Sequence, residues 1–215
     1  MEDGYSSVVL PRLATLSVPV VVLIGANVDW GHEFLHHAGV QVYCIEPQPS
    51  CLVTLREAAA RDVRIHVLPY AVGDVDGRAT FLANAWNETS SIRQPTARCH
   101  GIGVPREMRP ISVTMRRLDT LIAAGELPAF ADFISLDVQG FELEVIKGGR
   151  DFFARSKMVL CEVTYEEPYE GQALYEAVRD ELVGLGYIGD REVTDEERRR
   201  TTWSNILFTR SIVEI

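Results

Sequence analysis

The segment Asp137-Val138-Gln139-Gly140-Phe141-Glu142 decides how the chain is read. It follows a mostly apolar run at 130–136, suited to a strand covered on both faces, and precedes Leu143, Val145 and Ile146, which recur at helical spacing. Asp137 therefore stands at the carboxyl end of a buried strand, the edge of an open α/β sheet where ligands bind. Two carboxylates and a glycine at such a corner read as an active site.

Outward from this corner, short apolar runs alternate with helical patterns. Strands are expected near 20–25, 41–46, 63–68, 131–137 and 157–163, and helices near 30–38, 49–60, 117–124, 141–149 and 172–184. Repeated β-α-β calls for a mainly parallel, doubly wound sheet with right-handed crossovers and helices on both faces. The stretches 186–192 and 203–209 read as an antiparallel closing hairpin joined by the charged loop 193–202. Segment 77–114 holds a strand at 78–83, then a polar stretch rich in Asn, Ser, Gly and Pro that suits a loop over the site. Residues 1–19 form an N-terminal extension and 20–215 a single domain.

Composition narrows the partners. A chain of 215 residues with 47% hydrophobic content can bury one substantial core. Its 21 basic and 31 acidic residues give a net charge of -10, which argues against nucleic acid and for a small ligand. Cys44, Cys51, Cys99 and Cys161 have neither metal-type nor disulfide-framework spacing, so reduced structural thiols in a cytoplasmic protein are expected. The apolar run 18–26 is too short to span a bilayer, and no leader pattern precedes it.

The first βα turn contains Gly25-Ala26-Asn27. A glycine straight after a buried strand lets backbone approach a ligand, and an acidic residue about 20 positions on accepts hydrogen bonds from a nucleoside ribose. Glu46, followed by Pro47, lies 21 residues after Gly25. A tight turn followed by an exposed acid is the alternative.

Taken in order, Gly25-Ala26-Asn27, Glu46-Pro47, Ala71-Val72-Gly73-Asp74, Leu118-Asp119, the 137–142 segment and Lys147-Gly148 resemble the FkbM-type S-adenosylmethionine-dependent methyltransferases over roughly 20–210. The resemblance implies a class I methyltransferase fold, Rossmann-like and seven-stranded. It places Gly25 and Asn27 at the methionine end of S-adenosylmethionine, Glu46 on the ribose, Asp74 or its neighbours by the adenine, and Asp137 near the sulfonium and acceptor. Ala26, Pro47 and Ala71 complete the implied cofactor site. Such proteins typically methylate hydroxyls on natural products, sugars or glycolipids, so a small-molecule or saccharide acceptor is expected. The chain departs from the family pattern at Leu23, where an acid is usual, and at Asp29, where a glycine is usual; a catalytically degenerate relative that only binds is the alternative this opens, beside a methyltransferase with an N- or carboxylate acceptor.

A sulfonium methyl is already activated, so catalysis is mainly alignment plus removal of the acceptor proton. Asp137, desolvated at a strand end, is the candidate base, while Glu142 in a helix's first turn is held charged by the helix dipole and either caps backbone or meets substrate. Glu162, Tyr165 and His100 are candidates for acceptor contact. His32-Glu33-Phe34-Leu35-His36 also fits the zinc hydrolase pattern H-E-x-x-H, but position 42, where the extended pattern needs its third ligand, is Val42. Histidines on a partly exposed helix are the simpler reading, and no metal site is expected.

Overall fold

The computed structural model describes residues 6–101, 105–189, 194 and 200–210. In chain order its strands are β1 (Val20–Ile24), β2 (Gln41–Ile45), β3 (Ile65–Leu68), β4 (Ala71–Val72), β5 (Gly77–Ala83), β6 (Arg109–Arg116), β7 (Phe133–Leu136), β8 (Met158–Thr164), β9 (Tyr187–Gly189) and β10 (Trp203–Arg210). The helices are α1 (Ser6–Ala14), α2 (Pro49–Arg61), α3 (Ala97–Gly101), α4 (Leu118–Ala123), α5 (Glu142–Gly148), α6 (Arg150–Arg155) and α7 (Tyr175–Gly184).

Successive residues of β1 face opposite ways, so its all-apolar sequence serves two cores at once. Val22 and Ile24 join Ile134, Leu136, Val145, Ile146, Phe152 and Phe153 on one side. Val21 and Leu23 join Val42, Cys44, Leu52, Leu55 and Phe133 on the other. Each fully buried aliphatic or aromatic side chain here contributes roughly 1.5–3 kcal/mol, which makes the centre of the sheet the rigid part of the molecule. The four cysteines are free and buried.

The main sheet has the order β3-β2-β1-β7-β8-β10-β9. Strands β1, β2, β3, β7 and β8 run parallel, and β10 runs antiparallel to both β8 and β9. The chain winds outward in one direction from β1 and in the other from β7, so the loops after these two strands diverge and leave a crevice between them. A second sheet, β4-β6-β5, stands beside this crevice. Among the described residues no helix is long and apolar enough to cross a membrane.

Several expectations need correction. No helix forms over 30–38: Asp29 Oδ1 accepts the Gly31 N–H at 2.8 Å and Gly31 turns left-handed at φ 67°, so the chain makes turns and only a 3-10 segment at Phe34–His36. The helix expected at 141–149 forms as α5, but a further short helix, α6, follows it after Gly149, and α7 starts at Tyr175, not at 172. The polar segment after β5 contains β6, which pairs with β5 along seven residue pairs. Within the N-terminal extension, where no element is expected, helix α1 buries Val9 and Leu13 against the core. Of the 186–192 strand, positions 190–192 lie outside the described residues, as does most of 193–202.

Candidate active site

The crevice is shaped first by backbone. Gly25 has φ 79°, and a β-carbon on it would lie 1.8 Å from the Asp137 backbone oxygen, so the turn after β1 and the turn after β7 can touch only because this residue is glycine. Asn27 is also left-handed, at φ 51°. Its N–H donates to Glu46 Oε2 at 2.8 Å, while the Gln48 N–H donates to Glu46 Oε1 at 2.7 Å. The Glu46 carboxylate thus ties two turns together and keeps lone pairs for a further donor. Burial pushes its carboxyl up to about 7, against the two backbone donors and helped by the charge of Asp137.

The turn after β7 is held from behind. Glu142, buried at the start of α5, accepts the N–H groups of Val138 and Gly140 on Oε1, both at 3.1 Å. Burial, opposed by these donors and reinforced by Asp137, lifts its carboxyl to about 7. Gln139, left-handed at φ 55°, turns its amide between two acids: Nε2 donates to Asp137 Oδ1 at 2.6 Å and to Glu162 Oε2 at 3.1 Å. The Tyr169 hydroxyl lies 3.0 Å from Gln139 Oε1 and from the Thr89 carbonyl. This network assigns the amide, since a reversed Gln139 would set its oxygen against the Asp137 carboxylate at 2.6 Å. Asp137, Glu142 and Glu162 each bring an oxygen within 4.8 Å of the others. Asp137 is open to the crevice but surrounded by protein, which raises its pKa. Burial first, then the charges of Asp137 and Glu142, hold Glu162 well above the usual carboxylate range.

The crevice has two lobes that share Ile24, Gly25, Asn27, Glu88, Asp137 and Gln139. The narrow lobe, about 90 Å³, runs between Glu46, Pro47, Ala71, Phe81 and Phe141. The wide lobe, about 630 Å³, opens toward Trp86, Cys99, Glu162, Tyr169 and Trp203. Segment 84–101 crosses both as a strap. Arg93 fastens it: Nε donates to the Gly140 carbonyl at 2.7 Å, Nη1 to the Glu170 carbonyl at 3.0 Å and Nη2 to Glu144 Oε1 at 2.6 Å, with Phe141 beneath the guanidinium. Ser91 Oγ adds a bond of 2.6 Å to the Gln139 carbonyl.

Of the residues singled out in the sequence, Gly25, Ala26, Asn27, Glu46, Pro47, Ala71, Asp137 and Glu162 line the crevice. Glu142 sits behind its wall. Asp74 is exposed and lies against Gly148, outside both lobes. Tyr165 packs edge-on against Tyr175, and His100 belongs to α3; neither lines a lobe. Sequence reasoning missed Gln139, Thr164, Tyr169 and the two tryptophans; only Gln139, inside the decisive segment, had a local signal. His32 and His36 lack the α-helix that gives their spacing meaning. Asp29, His32 and Glu33 have ligand atoms within 4.8 Å of one another, a grouping without His36.

Residues 24–188 match the Methyltransferase FkbM domain. The chain belongs to the FkbM methyltransferase family. It is 33% identical over 173 residues to the 2-O-methyltransferase NoeI of Sinorhizobium fredii, covering 76% of this chain and 71% of NoeI. Its fold is that of class I methyltransferases: the magnesium protoporphyrin IX methyltransferase ChlM of Synechocystis PCC 6803 superposes with a TM-score of 0.50 at 12% identity, covering 96% of this chain and 77% of ChlM. FkbM methyltransferases use S-adenosylmethionine. The crevice suits that cofactor, with the left-handed Gly25 turn in the wall common to both lobes and a buried carboxylate with lone pairs to spare at Glu46.

Proposed function

We propose that this FkbM methyltransferase transfers the methyl group of S-adenosylmethionine to a hydroxyl of a small-molecule natural product or saccharide, with Asp137 as the base. One observation carries the reading: the Asp137 carboxylate stands in the wall common to both lobes, where a cofactor in one meets an acceptor in the other. The 2-O-methyltransferase NoeI supports oxygen as the acceptor atom.

In this reading Glu46 accepts the ribose hydroxyls, Pro47 and Ala71 flank the nucleobase, and Gly25, Ala26 and Asn27 border the methionine end. Leu23 is packed in the core, so the acid usual at that position has no counterpart there. Asp29, on the wide lobe's wall, is the carboxylate within the crevice that can receive the cofactor's ammonium group. Trp86 and Trp203, 49% and 43% exposed at this lobe, present flat apolar faces to a sugar ring. Glu142 fixes the turn that carries Asp137.

The cofactor supplies a methyl already activated by its sulfonium. Asp137 takes the hydroxyl proton, and its raised pKa makes it a better base than an exposed aspartate. Gln139, steadied by Tyr169, holds the carboxylate on its bearing. Because the base acts ionised, the rate should climb as pH rises through this raised pKa. Asp137→Asn keeps the shape without the basicity, and single-turnover measurements should show a loss of roughly 100-fold or more with cofactor affinity little changed. Wild-type protein that binds no S-adenosylmethionine at millimolar concentration in a calorimeter would sink the proposal in favour of a degenerate binding relative.

A further inference from the structure

The wide lobe carries charge of one sign. Glu88, Asp137 and Glu162 line it, with Asp29, and among the described residues no lysine, arginine or histidine does. The strap's own guanidiniums are committed elsewhere, Arg93 to Gly140, Glu170 and Glu144, and Arg98 to Glu166. One polar group in the wall is unmet: Thr164, 4% exposed and two residues beyond Glu162 in β8, has a hydroxyl with no hydrogen-bond partner. A buried hydroxyl without a partner is costly unless a ligand group meets it. Alternation along β8 sets Thr164 and Glu162 on the same face, so a ligand there finds a neutral hydroxyl beside carboxyl oxygens.

We propose that the wide lobe accepts an uncharged or amino-bearing glycoside and rejects sugars that carry phosphate, nucleotide or carboxylate groups. This rests on the saccharide O-methylation inferred above. An anionic acceptor would shed water to enter a crevice where Asp137 acts as an ionised base and Glu88 stands on the exposed strap, with no cation among the described lining residues, and such juxtaposition is strongly unfavourable in a partly desolvated site. Sugar hydroxyls, by contrast, can donate to Asp137 and Glu162 and accept from Thr164. Transfer then balances within the two lobes: the sulfur–methyl bond breaks as the oxygen–methyl bond forms, and the hydroxyl proton passes to Asp137. Nucleotide-activated sugars carry a diphosphate, so methylation falls after a glycosyl-transfer reaction has released the nucleotide, on the completed glycoside.

The test compares matched acceptors. Hexoses and deoxyhexoses are offered to the full chain with S-adenosylmethionine as methyl glycosides, amino-sugar glycosides, uronates, 1-phosphates and nucleoside diphosphate sugars, with S-adenosylhomocysteine and methylated product read by mass spectrometry. Neutral or amino glycosides should be used with kcat/KM about 100-fold or more above their phosphorylated forms. Glu88→Gln, which removes one charge from the exposed strap, should narrow that gap by roughly 5-fold. A nucleotide sugar or sugar phosphate used as well as the glycoside overturns the proposal while leaving saccharide methylation intact. A gap indifferent to Glu88→Gln also counts against it. Turnover confined to non-carbohydrate hydroxyls removes the saccharide reading, and the proposal with it.

Discussion

The turns that wall the narrow lobe are main chain fixed through buried carboxylates, whereas the strap, which crosses both lobes and roofs the wide one, is held down by long side chains. In the first, Glu46 ties the turns after β1 and β2, Glu142 ties the turn after β7, and Gly25 lets two of these turns touch. In the strap, Arg93 and Ser91 reach across to the turn after β7 and to α5, while Tyr169 reaches back to it from the loop after β8. Hydrogen bonds to buried backbone admit few alternative arrangements, while side-chain fasteners can be released one at a time. Under the proposed assignment of the lobes, a crevice built in this way would keep one cofactor geometry and leave its acceptor side free to vary.

Gly25→Ala offers the sharpest break in this contrast. The new carbon would stand 1.8 Å from the Asp137 oxygen at a left-handed φ, so the two turns must part. Cofactor affinity should fall by about 100-fold or more, measured by calorimetry, with a lowered Tm that costs on the order of 1–3 kcal/mol from backbone strain alone. Unchanged affinity would mean the turns are not the cofactor's wall.

Glu46→Ala should have the next largest effect, weakening S-adenosylmethionine and S-adenosylhomocysteine alike by about 1.5–3 kcal/mol. Its pH behaviour has two opposite signs. The folded-state carboxyl is raised from 4.5 to about 7, so its contribution to stability is complete below the unfolded value and fades as pH rises through about 7. Cofactor binding runs the other way, because the ionised form is the better acceptor, and affinity should weaken as pH falls below about 7. Wild-type titrations at pH 6 and pH 8 beside Glu46→Gln, in which both trends should flatten, separate the two.

The smallest effect belongs to the strap. Arg93→Ala should raise the acceptor KM several-fold and leave cofactor affinity close to wild type. Amide exchange across 84–101 should quicken as local opening becomes about 1.5–3 kcal/mol easier. Exchange that does not change would show the strap to be held by its backbone instead, and the contrast between the lobes would disappear.

The same contrast governs how much could be read from the residues. Gly25, Glu46 and Asp137 are legible because a strand end, a glycine and a spacing of 21 residues are local features. The strap is not, since Arg93 finds its acceptors at Gly140 and Glu144, 47 and 51 positions away, through pairing that no periodicity encodes. Strand β6 did leave a signal, with Ile111, Val113 and Met115 alternating inside a segment whose Gly and Pro content suggests a loop. The helix expected at 30–38 fails for the opposite reason: Trp30, Phe34 and Leu35 have helical spacing, but the Asp29 turn and the left-handed Gly31 prevail locally. Asp74 belongs to a recognisable motif, yet it is exposed with its backbone beside Gly148 while its neighbours Ala71 and Val72 line the narrow lobe, and motif membership alone could not tell these positions apart.

Gly148 has one more consequence. A β-carbon there would meet the Gly73 oxygen at 1.8 Å, so α5 abuts the chain just beyond β4 through bare main chain. Ala71 and Val72 of β4 line the narrow lobe, and Glu142, at the other end of α5, holds the turn bearing Asp137. Helix α5, seven residues and so roughly 10 Å long, works as a gauge block behind the wall: one end locates the floor of the lobe, the other its far side. The lobe's aperture is therefore calibrated from outside, at a glycine that lines neither lobe, and a side chain there would re-space the walls without altering a single group that faces the crevice.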